Sequence, residues 1–317
     1  MQDNFTLAPS YVKKNTPFFR QKGFRLFLML TPFIALTFIM SYLPLYGWIY
    51  SFYDYKPGLP LAGRFVGLAN FKIFYTDKYA IDDIVRVMKN TLGMSLLGYL
   101  VSPLPLIFAV LLAEITFSPF RRIVQTLTTI PNFISWVLVY SIASAMFSVG
   151  DGFVNRLLVQ IGFIEQPIAF LASGDHIWIK MMLWGQWKSL GCGAILYIAS
   201  LSGIDQELYQ AAYVDGAGRF ACMRHITLPG LLPTYFVLLI LSIAQLINVG
   251  MEQPFLFENM MNKNTIEVLD LYVFHQGLQR GKISVATAIG ILKTLVSLVL
   301  LFTANGLSKL FRDESIF

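Results

Sequence analysis

The chain has 317 residues and a mass of 35.8 kDa, and its 24 basic and 18 acidic side chains give a formal net charge of +6. Apolar residues make up 56% of the sequence and charged residues 13%, whereas soluble domains carry roughly 45–50% and about 25%. These proportions argue against a soluble domain and a disordered chain, and the two cysteines are too few for a disulfide scaffold.

The apolar residues form long blocks that polar segments separate. Each block is long enough for the roughly 20 residues that cross a hydrocarbon core of about 30 Å. Hydropathy windows predict six transmembrane helices, at 24–48, 89–113, 123–148, 177–200, 231–251 and 284–304. We therefore expect an all-α membrane protein with one membrane domain over 24–317, preceded by a tail over 1–23.

Five cations lie in the N-terminal tail and at the very start of the first predicted span: Lys13, Lys14, Arg20, Lys22 and Arg25. The block that follows is longer than a signal peptide's apolar region and lacks its cleavage site, which indicates a retained anchor. Phenylalanines among the cations favour a short interfacial helix in the tail. Because positive charge stays on the cytoplasmic side, six spans predict cytoplasmic N- and C-termini.

Several prolines interrupt the predicted spans: Pro32, Pro44, Pro103, Pro105 and Pro131. Lipid offers no partner for the backbone groups that a proline leaves unpaired, so neighbouring helices or a water-lined path must supply one. These helices are expected to line a cavity.

The sequence carries no signature of catalysis. The histidines lie on three separate segments without metal-ligand spacing, so we expect solvated or interfacial histidines, no metal site and no catalytic residue. The stretch Gly277–Lys282 lacks the spacing of a phosphate-binding loop and the hydroxyl that follows its lysine. This chain is therefore not expected to bind ATP itself.

The segment 201–230 reads LSGIDQELYQAAYVDGAGRFACMRHITLPG and is the most informative polar loop. Asp205 is a favourable N-cap, which predicts a helix over 206–214 that ends near Asp215 and Gly216. A second short helix is predicted from Gly218 to about His225. The net charge of the loop is too negative for a nucleic-acid reader.

Small residues of this loop would let another protein's backbone approach closely, although an ordinary amphipathic loop would have similar composition. The order Gln210-Ala211-Ala212, Asp215-Gly216-Ala217 and Ile226-Thr227-Leu228-Pro229 resembles the EAA loop of binding-protein-dependent ABC importer permeases. That resemblance implies a MetI-like permease core and a loop that docks into the ATPase subunit. It assigns ATPase coupling to Glu207, Gln210, Ala211, Ala212, Asp215, Gly216, Ala217, Gly218 and Arg219.

Gln210 stands where the family has glutamate, which removes a carboxylate from the predicted contact. Other segments resemble the sugar permeases for polysaccharide fragments, such as the alginate importer: 42–48, 54–58, 65–71, 269–274 and 284–290. The resemblance implies a bacterial inner-membrane subunit that works with a second permease, two ATPase subunits and an extracytoplasmic solute-binding protein. ATP and Mg²⁺ would be bound by the ATPase partners, and this chain would hold no cofactor.

Polar and aromatic side chains inside predicted spans are candidates for the oligosaccharide path. They are Trp184, Gln186, Trp187 and Lys188 on the fourth span and Gln245, Asn248, Glu252 and Gln253 at the fifth. Lys188 would suit an acidic sugar, with a structural hydrogen bond or a counter-ion role as alternatives. Trp184 and Trp187 could equally belong to a packed interface, while Lys180 and Lys293 are expected to snorkel.

Two alternatives remain open at the level of sequence. A non-ABC channel or a polysaccharide-synthesis subunit could carry a similar projecting loop for another partner. Within the importer interpretation, a neutral sugar or a peptide could replace the acidic glycan.

Overall fold

The computed structural model describes residues 22–60 and 64–312. Their helices are α1 (Lys22–Thr37), α2 (Ala69–Thr76), α3 (Lys78–Leu100), α4 (Leu104–Ala113), α5 (Ser118–Thr129), α6 (Trp136–Phe147), α7 (Phe153–Gln160), α8 (Ile177–Leu201), α9 (Gln206–Val214), α10 (Arg219–Cys222), α11 (Leu228–Ile243), α12 (Glu252–Phe257), α13 (Lys263–Ile266), α14 (Leu269–Phe274) and α15 (Ile283–Arg312). In these ranges the one extended pairing is an isolated bridge between Tyr53 and Phe65. The predicted all-α class is therefore confirmed.

Five described helical segments have tighter or wider turns than an α-helix. The π-helical turns are Phe38–Tyr42, Met223–Thr227 and His275–Gln279, and the 3-10 segments are Leu43–Phe52 and Ile130–Phe133. The predicted interfacial helix of the tail, together with Lys13, Lys14 and Arg20, lies outside the described residues.

The chain divides into two compact units, one ending at Ile49 and one beginning at Tyr50. In its described part, the first unit contains α1, the π turn Phe38–Tyr42 and the start of the 3-10 segment, up to Ile49. Within it, the hydroxyl groups of Thr31 and Thr37 each donate to the carbonyl four residues earlier, at 2.8 Å. Both polar groups are thereby satisfied inside an apolar helix.

Four described helical segments are long and apolar enough to cross a membrane: Leu26–Phe52, Lys78–Ala113, Arg219–Ile243 and Ile283–Gly306. The pair Ser118–Phe133 and Trp136–Phe147, bent by 106°, adds a fifth if it is a single span. Six spans are therefore not established by length and apolarity. The predicted fourth span is a 25-residue helix, α8, but Lys180, Gln186 and Lys188 lower its hydropathy.

Three predicted span boundaries are wrong. The second span begins at Lys78 instead of 89, because Asp77 caps α3 by accepting from Tyr79 N at 3.0 Å. The third is not one straight helix, since the chain breaks after Pro131. The fifth ends at Ile243 instead of 251, and its helix begins at Arg219.

Helix α8 is central to the second unit and packs against α3, α4, α5 and α11. Glycines on α8 and α3 permit the close approaches. A Cβ on Gly191 would lie 2.3 Å from the Thr128 carbonyl oxygen, and a Cβ on Gly93 would lie 2.5 Å from the Trp178 ring. Small residues at helix contacts are the usual means of tight packing in membranes.

Buried apolar side chains form separate clusters along α8. One joins its first turns to the segments after α11 and contains Met181, Phe257 and Leu271. Another joins its last turns to α4 and α11 through Tyr197 and Leu231. Many other large apolar side chains are exposed, which is the distribution expected of a chain whose outer surface meets lipid.

Candidate functional site

The loop between α8 and α11 begins with a capped helix. Asp205 Oδ1 accepts from Glu207 N at 2.9 Å, and α9 runs from Gln206 to Val214. Both features match the predicted helix. The acidic side chain of Glu207 also lies in the first turn, where the helix dipole favours negative charge.

Helix α9 ends in a Schellman motif. Gly216 has φ +83°, its N–H donates to Tyr213 O at 3.1 Å, and Ala217 N donates to Ala212 O at 2.9 Å. A left-handed residue at this position is usually glycine, because a Cβ would collide with the backbone. Gly216 therefore ends α9 where the sequence predicts.

The sequence predicted a short second helix in the loop, and this prediction is wrong. Helix α10 starts at Arg219 and continues through the π turn into α11, so that one 25-residue helical segment extends to Ile243. The physical reason is Pro229, which has no N–H to donate. Leu228 N reaches back five residues to Met223 O, and the wider turn accommodates the proline without ending the helix.

Two contacts fix α9 to this continuous helix. The hydroxyls of Tyr209 and Thr227 lie 2.9 Å apart. A Cβ on Gly230 would lie 2.7 Å from Ile204 Cδ1, so the chain before α9 lies directly against the first turn of α11. The loop is thus a firmly attached projection, which we call the knob (residues 204–222).

The predicted coupling residues lie mainly on the surface of the knob. Ala212 and Ala217 are half-buried, and the others are exposed: Glu207, Gln210, Ala211, Asp215, Gly216, Gly218 and Arg219. Four large apolar side chains that were not predicted as contact residues are also exposed there: Leu208, Tyr213, Val214 and Phe220. Val214 is 88% exposed. Their presence in an otherwise polar loop was the sequence signal that could have identified them as contact residues.

The predicted path residues do not form one site. Trp184 and Trp187 line a cavity of about 470 Å³, which we call the aromatic cavity. Its other lining residues are Ile142, Met146, Phe147, Phe170, Leu171, Lys180 and Leu183. Lys180, expected to snorkel, is the cation of this cavity and was missed as a candidate.

Gln245 and Asn248 line a second cavity of about 560 Å³ together with residues of α3, α8 and α11. Both follow the end of α11 instead of lying within a span. Asn248 Nδ2 donates to Ser297 Oγ on α15 at 3.1 Å, which fixes the segment after α11 to the last helix.

The remaining path candidates have separate surroundings. Glu252 is exposed at the start of α12, and Gln253 Nε2 donates to the Met181 carbonyl at 2.8 Å. The buried Oε1 of Gln186 has no hydrogen-bond partner in the described part of the chain.

Lys188 forms the hydrogen bonds expected of a structural role, which was the alternative to binding an acidic sugar. Its Nζ donates to the carbonyls of Asn132 at 2.8 Å and Ile134 at 2.6 Å, with Pro131 at 3.3 Å. It also lies 5.6 Å from the centroid of the Trp136 ring. An ammonium group has three protons, and here all three are used at the break between α5 and α6.

Lys293 does not snorkel as predicted, because it forms an ion pair with Asp270 on α14. The other oxygen of Asp270 accepts from Gly250 N at 2.8 Å. This carboxylate therefore connects α15 to the segment that leaves α11.

A buried ion-pair cluster joins α3 to the segments between α11 and α15. His275, expected to be solvated, is 3% exposed, with Nδ1 2.8 Å from Glu267 Oε1 and Nε2 3.2 Å from Glu258 Oε2. Arg86 donates to Glu267 Oε2 at 2.8 Å. The possible ligand atoms of Glu258, Glu267 and His275 lie within 4.8 Å of one another, a grouping that could hold a metal ion. Both ring nitrogens of His275 already face carboxylates, however. Burial raises the pKa of the adjacent Tyr272.

Comparison with known proteins gives a consistent result. The family described as "Binding-protein-dependent transport system inner membrane component" matches residues 101–313. The chain is 39% identical to Protein LplB of Bacillus subtilis (strain 168), over 92% of this chain and 91% of that protein. It is 36% identical to the polygalacturonan/rhamnogalacturonan transport system permease protein YteP of the same strain, over 92% and 90%.

A solved structure has the same fold. It is described as a bacterial alginate ABC transporter in complex with an alginate pentasaccharide-bound periplasmic protein, and one of its chains superposes with a TM-score of 0.81 at 31% identity. The match covers 92% of this chain and 96% of that chain. The chain therefore belongs to the family of binding-protein-dependent transport system inner membrane components, the permease subunits of ABC importers.

Proposed function

We propose that this chain imports oligosaccharides or polysaccharide fragments that a solute-binding protein delivers. Its family supports the transport role. The names of two relatives, a polygalacturonan/rhamnogalacturonan permease and an alginate transporter, support an acidic glycan as the substrate.

One observation carries the mechanism: α9 is fixed to a helical segment that continues without a stop from Arg219 to Ile243. A force applied to the knob by an ATPase subunit would therefore move this helix as a rigid body instead of bending a loop. Closure of the ATPase dimer on ATP would tilt the helix, and hydrolysis would return it. The chain itself would bind neither ATP nor Mg²⁺.

The ATPase contact would combine the nine coupling residues named above with the exposed apolar side chains of the knob. Leu208, Val214 and Phe220 offer exposed apolar area, and the exposed side chains of Glu207, Asp215 and Arg219 offer charge. Interfaces between proteins commonly combine apolar and charged contacts. Gln210 is exposed and would contribute an amide where a family glutamate would contribute a charge.

We also propose six spans, with α8 and the bent pair of α5 and α6 counted as two of them. The polar residues of α8 are compatible with a span that is surrounded by other helices and does not face lipid. This arrangement gives an inner-membrane protein with cytoplasmic termini, a tail over 1–23 and a membrane domain over 24–317. Its partners would be a second permease, two ATPase subunits and a solute-binding protein.

Co-purification with the candidate ATPase tests this function. We expect the complex to contain ATPase subunits and to hydrolyse ATP faster when the loaded binding protein is added. Val214→Glu should remove the ATPase from the complex, because a charge would be buried in the contact. Leu278→Glu is the matched control, since Leu278 is also strongly exposed but lies in the π turn before α15. An unaltered chain that purifies without ATPase would favour a non-ABC channel or a polysaccharide-synthesis subunit.

A further inference from the structure

Three residues of α8 share one helix face and one cavity. Lys180, Trp184 and Trp187 are four and then three residues apart, a spacing that aligns side chains along an α-helix. All three line the aromatic cavity. The cation lies nearest the start of α8, with the two indoles following along the same face.

The aromatic side chains form walls that meet at steep angles. Trp184 and Trp187 have ring centroids 5.8 Å apart and planes at 90°, and Phe147 meets Trp184 at 6.1 Å and 84°. Phe170 meets Phe147 at 5.6 Å and 72°. Ring faces carry partial negative charge and attract positively polarised edges. The C–H groups on the face of a pyranose ring are also positively polarised, so this face of a sugar can pack against an aromatic ring.

Lys180 retains hydrogen-bonding capacity, in contrast to Lys188. Its Nζ donates to the Ser173 carbonyl at 3.1 Å. An ammonium group can donate three hydrogen bonds, so two protons remain for a ligand. Among the ion pairs within 4.0 Å found in residues 22–60 and 64–312, none involves Lys180.

We infer that the aromatic cavity is a subsite for one uronate residue of the transported glycan. The carboxylate would bind Lys180 while the pyranose ring lies against Trp184 and Trp187. The cavity volume of about 470 Å³ falls within the roughly 300–1,000 Å³ typical of small-molecule sites. This inference rests on the proposed function and adds to it a residue that selects for charge.

Charge selection by Lys180 can be distinguished from a general effect on folding or transport, because it should affect only a charged glycan. Loss of a hydrogen bond to a charged group costs about 1.5–3 kcal/mol, which corresponds to roughly tenfold or more in affinity. That loss should apply to a glycan with a free carboxylate. It should not apply to the same glycan without the charge.

The test uses the complete importer in proteoliposomes, with an oligogalacturonate and its methyl ester as probes, after the binding protein has been shown to bind both. For Lys180→Met we expect the KM for uptake of the acid to rise about tenfold, with the KM for the ester unchanged. Lys180→Arg should restore most of the affinity for the acid. Lys78→Met is the matched control, because Lys78 is exposed at the start of α3 and does not line the cavity.

Each other outcome overturns one statement. Equal changes for acid and ester, or no change for either, would overturn the subsite while leaving the importer intact. Release of a bound phospholipid by Lys180→Met, with uptake of the acid unaffected, would show that the cavity holds lipid. If the unaltered importer moves neither probe although its binding protein binds both, the oligosaccharide function itself fails.

Discussion

The hydroxyl of Tyr209 on α9 lies 2.9 Å from the hydroxyl of Thr227, the last residue of the π turn that leads into α11. Thr227 is buried, and its Oγ1 also lies 3.5 Å from the Cys222 carbonyl. This contact joins the exposed knob to the helix that would carry its movement into the membrane. In the proposed coupling mechanism, this hydrogen bond connects the surface that the ATPase would contact with the helix that would move.

Tyr209→Phe should weaken coupling without preventing assembly. The variant keeps the ring but loses one hydrogen bond, worth about 1 kcal/mol, so we expect the ATPase activity stimulated by the loaded binding protein to fall by up to about fivefold. Tyr79→Phe is a suitable control, because Tyr79 is 84% exposed at the start of α3. Equal stimulated activities in the two variants would contradict the coupling role of Tyr209.

Gly216→Ala should damage the knob more than Gly218→Ala. Gly216 has φ +83°, a left-handed conformation that costs a residue with a Cβ about 1–2 kcal/mol. Gly218 has φ −77° in the extended region and open space around a Cβ. We expect both variants in the membrane at normal levels, with stimulated ATPase reduced more by Gly216→Ala than by Gly218→Ala. Equal activity of the two would mean that the shape of the α9 end does not matter for coupling.

Local signals predicted the knob well because its structure is determined locally. Asp205 as N-cap and Gly216 as the end of α9 are each set by the conformational preferences of one residue. The continuation of α10 into α11 was missed, since it depends on a wider turn before Pro229 that no single residue type specifies. The same reason explains the wrong start of the fifth span.

The cavities and ion pairs could not be predicted, because they join residues far apart in the sequence. Lys188 was a good substrate candidate by residue type, and only the position of the Pro131 break shows that its protons are used. His275 and Lys293 likewise acquire their carboxylate partners through packing of the segments between α11 and α15. Lys180 was dismissed because its place near a helix end is also typical of snorkelling.

Lys188→Met should destabilise the subunit and reduce uptake of acidic and neutral glycans alike. Three carbonyls at the break between α5 and α6 would lose their donor, and each buried unsatisfied group costs about 1–3 kcal/mol. We expect a lower melting temperature of the purified protein in detergent. Ser189→Ala is the control, because that exposed hydroxyl donates within α8 to the Gly185 carbonyl and has no other hydrogen bond among the described residues. Selective loss of acidic substrates in Lys188→Met would instead assign charge recognition to Lys188.

Glu267→Gln should be the most destabilising single change at the buried ion-pair cluster. Glu267 is 3% exposed in its side chain and pairs with both Arg86 and His275 at 2.8 Å. Its neutralisation would weaken the contact to Arg86 and leave His275 with the Glu258 carboxylate alone, at 3.2 Å. Breaking a buried pair costs about 3–5 kcal/mol. Asp83→Asn also removes a carboxylate from Arg86, but Asp83 is 40% exposed, and exposed pairs contribute at most about 1 kcal/mol. Thermal unfolding in detergent should therefore separate the two variants clearly, and proteolysis of Glu267→Gln should begin between α11 and α15. Similar melting temperatures for both would show that the cluster does not hold these segments to α3.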